Sequence, residues 1–168
     1  MTRTPKVGDV FLVPTGDSRA GVGQVIGAYG KHAKYLAIFS LVLPLDQAAA
    51  RATEALTSGL LLLGLSLDAK FHAGYWTVVD HAPVHPDMPL PAYKEAVTTH
   101  DHIDVVDHSG LRRRRATRAE ADLLPNRKVV APVRLERALR VSLGLEPWLT
   151  AFDDLTPGSI VPSAAMFD

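Results

Sequence analysis

Cysteine is missing from all 168 residues of the chain. Its absence excludes disulfide bonds and zinc sites built on thiolates, which fits a reducing compartment, and we expect a cytoplasmic protein. Long apolar runs are missing too. Residues 1–7 lack the apolar core of a secretory signal, and the most apolar window, residues 55–67, is too short and too interrupted to cross a bilayer.

Signatures of catalysis are equally scarce. With no cysteine and no Gly-x-Ser-x-Gly elbow, no residue is marked as a nucleophile. Residues 21–27 (GVGQVIG) superficially resemble a dinucleotide-binding glycine pattern, but the third glycine falls one residue late and no helical pattern follows. The sequence therefore contains no motif that predicts a reaction or a cofactor.

Net charge is zero, yet the charges are unevenly distributed. Residues 80–110 hold one lysine and six acids (net −5), whereas residues 111–145 hold ten basic groups and three acids (net +7). Such asymmetry can steer a charged partner. Alternatively, the acidic and basic segments neutralise each other inside the fold, because blocks in a sequence need not become surface patches.

The stretch that organises the chain is residues 59–80, GLLLLGLSLDAKFHAGYWTVVD. Its leucine run, followed by alternating apolar and polar residues as far as His72, predicts one core strand. A second strand is expected from Trp76 to Val79, directly after Gly74. We predict that Trp76 is a core anchor whose indole N–H finds a partner; the alternative is a tryptophan exposed to a ligand or partner.

The flanking segments predict an α+β fold in a single domain, residues 1–155, with a mainly antiparallel, curved sheet and about three helices. Strands are expected near residues 10–13, 21–29, 35–43 and 102–107, the last in a hairpin with 111–116. Helices are expected at 47–57 with Asp46 as N-cap, at 117–124 and at 131–143. Four prolines predict an irregular crossing over residues 82–91.

Two further expectations concern the packing of the C-terminal part of the chain. Trp148, Phe152 and Leu155 are expected to pack against the core. Residues 156–168 are expected to form a loose C-terminal tail.

Two clusters suggest alternative chemistry. Six of the seven histidines lie between His72 and His108, and imidazole and carboxylate groups bind divalent metals. A metal site would draw on His81, His85, His100, Asp101 and His102. However, Pro83 prevents His81 and His85 from sharing a helix face, and the same residues suit a solvated region whose histidines hydrogen-bond or titrate.

Four consecutive arginines, Arg112, Arg113, Arg114 and Arg115, could contact phosphates. On a strand they alternate between two faces, and no aromatic cluster accompanies them, which weakens single-strand binding. The other interpretation pairs them across the hairpin with the acids of residues 101–107.

Several motifs occur in an order that resembles the Immunity protein 26 family of bacterial polymorphic toxin systems. The motifs are residues 8–14 (GDVFLVP), 21–26 (GVGQVI), 74–76 (GYW) before the proline-rich crossing, and 116–120 (ATRAE). The resemblance covers about residues 6–155 and departs at Gln24, where the family commonly has arginine. It implies a non-enzymatic cytoplasmic protein that binds a cognate toxin and neutralises it by stoichiometric occlusion.

The resemblance implies structural roles for a small set of residues and supplies no catalytic set. These structural residues are Gly8, Asp9, Gly74, Trp76, Thr117 and Glu120. We expect part of the partner surface to be acidic, because an acidic face can occupy a basic cleft as phosphates would. The residues expected there are Asp80, Asp87, Asp101 and Asp104.

The expected partner is therefore a protein toxin, with no membrane, no small-molecule substrate, no metal and no cofactor. Two alternatives stay open at this point. One is a nucleic-acid-binding module that uses the Arg112–Arg115 face, and the other is a metal-dependent enzyme that uses the histidine-rich segment 72–108.

Overall fold

The computed structural model describes residues 3–99 and 101–167. Its strands are β1 Asp9–Pro14, β2 Arg19–Tyr29, β3 Ala33–Pro44, β4 Leu60–Ser66, β5 Thr77–His81, β6 Tyr93–Val97, β7 His102–Val106, β8 Arg113–Arg115 and β9 Val129–Val130. Its α-helices are α1 Leu45–Arg51, α2 Ala69–His72, α3 Arg118–Leu123, α4 Pro132–Ser142 and α5 Ser163–Met166, with 3₁₀-helical turns at Ala52–Thr57, Thr150–Leu155 and Pro157–Ser159.

These elements form the predicted α+β fold. A six-stranded sheet has the order β5-β1-β2-β3-β4-β9, and a three-stranded antiparallel sheet has the order β6-β7-β8. In the larger sheet only β9 runs parallel to its neighbour, β4, among the described residues. Register shifts interrupt the β1–β5, β2–β3 and β3–β4 ladders, and such bulges bend the strands that carry them.

Both faces of the six-stranded sheet are buried. Along β1, Val10 and Leu12 point into one cluster, and Phe11 and Val13 point into the other, as the period of two along a strand requires. The first face is covered by the alanines of residues 45–57 and by the proline-rich crossing. The second is covered by α4, α2 and the 3₁₀ turn at Thr150–Leu155.

One arginine joins the two sheets. The guanidinium of Arg127 lies 3.9 Å from the ring centroid of Tyr29 on β2 and 4.8 Å from that of Tyr93 on β6. It also donates a hydrogen bond of 2.9 Å to the carbonyl of Asp107. The small sheet is thereby fixed against the end of the β2–β3 hairpin.

The first core strand is shorter than predicted. β4 ends at Ser66, Leu67 is 43% exposed, and residues 69–72 form the helical turn α2. The carbonyl of Asp68 accepts the N–H groups of Phe71 and His72, which turns Phe71 into the core from a helix. The alternation expected as far as His72 was therefore wrong beyond Ser66.

The first helix also differs from the prediction. α1 begins at Leu45 and becomes 3₁₀-helical after Arg51, and Asp46 lies in its first turn while Pro44 occupies the N-cap position. After the 3₁₀ segment, Gly59 has a φ of 97°, the left-handed conformation that glycine commonly adopts at the end of a helix.

The C-terminal segment is packed, so the prediction of a loose end was wrong. The carbonyl of Val161 accepts the N–H of Ala92 at 2.7 Å, and the N–H of Ser163 donates to the carbonyl of Leu90 at 2.7 Å. Side chains of this segment complete a third hydrophobic cluster against the small sheet. Within the described residues, no helix is both long enough and apolar enough to span a membrane.

Candidate functional site

The turn before β1 is held by a buried carboxylate. Asp9 is fully buried and accepts hydrogen bonds from the backbone N–H of Lys6 and from Arg3, both at 2.8 Å, while His81 Nδ1 lies 2.9 Å away. Gly8 has a φ of 98°, and a Cβ there would lie 2.6 Å from the His81 ring. These contacts are all internal to the fold.

Gln24, where the resemblance expects arginine, supports the same turn. It is 2% exposed, and its amide nitrogen donates to the carbonyl of Ala82 at 2.9 Å and points at that of Gly8 at 3.4 Å. The position provides carbonyl acceptors and requires a donor, and an amide supplies one.

Trp76 lies in the core with 2% of its surface exposed. Its ring stacks on Phe11 at a centroid distance of 5.5 Å and meets Phe71 edge-on at 5.6 Å. Its indole N–H donates to Glu136 on α4 at 3.4 Å. Gly74 has a φ of 79°, and a Cβ added to it would meet no atom within 4 Å, so glycine is needed there for backbone conformation and not for close packing.

Thr117 and Glu120 form the capping box of α3. The Thr117 hydroxyl accepts the N–H of Glu120 at 3.2 Å, and the Glu120 carboxylate accepts the N–H of Thr117 at 2.9 Å. Arg114 adds two hydrogen bonds to the same carboxylate. These bonds, with Arg114 contributing most, lower the pKa of Glu120 from its ordinary 4.5 to about 2.

The four aspartates predicted for the partner surface do not share one environment. Asp80, Asp87 and Asp101 are exposed. Asp104 is only 8% exposed and is bound by Arg113 Nε at 2.8 Å, with His102 Nε2 at 2.9 Å. The hydrogen bond from Arg113 lowers the pKa of Asp104, so this carboxylate belongs to the fold.

Three of the four arginines, Arg112, Arg113 and Arg114, contact other side chains of the fold. Arg113 also approaches Glu95 at 3.4 Å, and Arg114 binds Glu120. Arg112 and Arg114 lie over the ring of Phe167, at 4.9 and 5.6 Å from its centroid. These contacts favour internal neutralisation over a phosphate-binding face.

The histidine-rich segment does not converge in the described part of the chain. There, no group of three or more His, Asp or Glu side chains could hold a metal ion. His81 is paired with Asp9, His85 lies 3.9 Å from Asp87, and His102 is paired with Asp104. His100 lies outside the described residues.

The most distinctive exposed feature is one that the sequence did not predict. Phe152 and Leu155 are buried as expected, but Trp148, expected in the core with them, is 45% exposed. Its ring meets Phe152 edge-on at 5.6 Å, and its indole N–H donates to Asp153 at 2.7 Å. Beside it, the Arg137 guanidinium lies 5.8 Å from the Phe152 ring centroid.

Salt bridges hold this surface in place. Glu146 accepts from Arg137 at 3.0 Å and from Arg140 at 2.7 Å, which fixes the segment after α4 against the helix. The hydrogen bond from Arg137, followed by that from Arg140, lowers the pKa of Glu146. Arg137 nevertheless keeps 45% of its side chain exposed, so it is available to a partner.

A second exposed aromatic side chain is linked to the same helix. Tyr75 is 64% exposed, and Lys70 Nζ lies 4.8 Å from its ring centroid. Lys70 is paired in turn with Glu136 on α4 at 3.0 Å. We call the exposed side chains around this helix the α4 surface: Tyr75, Val133, Arg137, Leu145, Trp148 and Leu149.

A weak sequence signal for the α4 surface existed. Val133 and Arg137 are one helical turn apart and lie outside the apolar stripe of Leu135, Ala138 and Leu139, all three of which are fully buried. Trp148 follows the end of the helix, where a single aromatic residue carries no periodicity that would distinguish the core from the surface.

The chain matches no protein-family model, no curated protein and no solved structure.

Proposed function

We propose that the protein is an immunity protein that neutralises a cognate toxin by binding it, and that the toxin docks on the α4 surface. The observation that carries the docking site is the exposed Trp148, whose ring packs on Phe152, as does the half-exposed guanidinium of Arg137. Tryptophan, tyrosine and arginine dominate the binding energy of protein interfaces. The choice of a toxin as the partner rests on the family resemblance of the sequence motifs.

The charges of the α4 surface indicate the chemistry of the partner. Arg137 and the ionic groups beside this surface are already paired, Lys70 with Glu136 and both Arg137 and Arg140 with Glu146. A docking partner therefore meets an aromatic and aliphatic face with nearly balanced charge. Such a face suits an apolar patch on the toxin better than a basic, phosphate-binding cleft.

The exposed acids have a secondary role in this proposal. Asp80, Asp87 and Asp101 can raise the association rate of a basic partner without contributing much to the affinity. Asp104 does not take part, because its carboxylate is bound by Arg113.

Co-expression with the toxin domain encoded beside this gene tests the proposal. The wild-type chain should restore growth. In calorimetry with the purified toxin domain, Trp148→Ala should raise the Kd about 30-fold, which corresponds to a hot-spot loss of about 2 kcal/mol. Leu111→Ala is the matched control, because Leu111 is 87% exposed in the turn before β8 and lies outside the α4 surface. Absence of a toxin from the neighbouring genes, or no protection by the wild type, would overturn the function.

A further inference from the structure

A cavity of about 270 Å³ lies where the edge of the large sheet meets the C-terminal segment. It is lined by residues of β4 and β9, by Pro91, Tyr93, Pro125 and Asn126, and by residues 154–155 and 159–161 of the C-terminal segment. The aliphatic residues in its lining are Leu63, Leu65, Val130, Leu155, Ile160 and Val161.

The lining of the cavity is mostly apolar. Pro91 and Pro125 add ring carbons to the aliphatic walls, and proline contributes no backbone N–H. Ser159 also lines it, but its hydroxyl donates to the carbonyls of Asp154 and Thr156. Asn126 also lines the cavity, and its amide can both donate and accept hydrogen bonds.

The charged groups of the cavity neutralise each other. Lys128 Nζ and Asp154 Oδ2 are 3.1 Å apart, and both side chains are more than half exposed, at 61% and 64%. A ligand that enters beside this pair therefore meets no uncompensated charge. The pair carries no net charge, so it offers little to attract an ionic ligand.

Size limits the ligand further. A dry apolar cavity of about 150 Å³ accommodates benzene, so a volume of about 270 Å³ has room for a bicyclic aromatic or a branched aliphatic molecule of similar bulk. Ligand sites are characteristically apolar with a few polar groups that fix orientation.

We propose that this cavity is a binding site for a small, uncharged, carbon-rich molecule with one hydrogen-bonding group, of about the size of indole. The site shares no residue with the α4 surface, and the proposal does not rest on a toxin. Its occupant would bridge β4, β9 and the C-terminal segment, and would thereby stabilise the packing of that segment.

Indole is the probe for the test, used with the full-length chain. We expect saturable binding by calorimetry and intermolecular NMR contacts from indole protons to the methyl groups of Leu63, Leu65 and Val130. The NMR arm uses the wild-type protein, so it does not depend on any variant folding. Absence of saturable binding, or contacts only to methyl groups elsewhere, overturns the proposal.

Two variants and a second probe test the size and the charge of the ligand. Val161→Phe fills the cavity and is expected to abolish the binding of indole. Lys128→Gln combined with Asp154→Asn removes the ion pair and should leave indole affinity unchanged, and benzoate, an anion of similar bulk, should bind severalfold more weakly than indole. Retained binding in a folded Val161→Phe, or preference for benzoate, would contradict the assignment.

Discussion

The two tryptophans, Trp76 and Trp148, both lie near α4 but have different structural roles. Trp76 is 2% exposed and its indole N–H reaches Glu136, 60 residues away in sequence. Trp148 is 45% exposed and its N–H is bound by Asp153, five residues away. The first tryptophan links distant parts of the chain, so it supports the fold. The second contacts only nearby residues of its own segment, Phe152 and Asp153, among the contacts described above. It can therefore contact a partner without a change in core packing.

Truncating the two tryptophans should separate these roles most strongly. Trp76→Ala should lower the free energy of unfolding by about 3–5 kcal/mol, because a buried aromatic leaves a cavity when removed. Trp148→Ala should change it by less than about 1 kcal/mol, since its ring is half exposed. Urea denaturation measures both. Equal losses in the two variants would remove the distinction.

The aspartates provide a second, smaller contrast. Asp104→Asn weakens a charged hydrogen bond to Arg113 and should cost about 1–3 kcal/mol. Asp101→Asn, at an exposed position, should change the stability by no more than about 0.5 kcal/mol. Denaturation midpoints of the two variants provide the measurement, and a larger loss from Asp101→Asn would contradict the division between internal and exposed acids.

Removing the capping box of α3 should lower the stability by a smaller amount. Thr117→Ala removes the acceptor for the N–H of Glu120 and should cost about 1 kcal/mol. Thr117→Ser keeps the hydroxyl and serves as the control. If both variants unfold at the wild-type denaturant concentration, the cap does not stabilise the helix.

Lowering the pH should weaken the same capping box, because it protonates Glu120. Its pKa is about 2 in the folded chain and 4.5 ordinarily, so the unfolded chain takes up the proton first as the pH falls. The stabilisation is therefore complete above about pH 4.5 and is lost as the pH falls towards about 2. The stability difference between wild type and Glu120→Gln should shrink over that interval. A difference that does not vary with pH would show that Arg114 does not hold the carboxylate.

The sequence predicted elements that depend on local pattern. Alternating apolar residues predicted the first three strands, and the helix expected at residues 117–124 begins after its N-cap Thr117, because each signal lies within a few residues. The prediction failed at residues 67–72, where a one-turn helix places Phe71 in the core and the alternation of apolar residues mimics a strand.

Long-range features were beyond such reasoning. β9 has two residues and exists because Val129 and Val130 pair with β4, a contact that no local pattern specifies. Asp101 and Asp104 are alike in sequence, and the register of the β7–β8 hairpin decides that Arg113 binds the second. The exposure of Trp148 likewise depends on how the segment after α4 folds back, which Glu146 and two arginines determine.

The most direct test of the account is the affinity of Trp148→Ala for the cognate toxin domain, measured by calorimetry beside Leu111→Ala. We predict a Kd about 30-fold higher for Trp148→Ala, with unchanged stability and with wild-type affinity in the control. Wild-type affinity in Trp148→Ala would contradict the account and place the docking surface elsewhere.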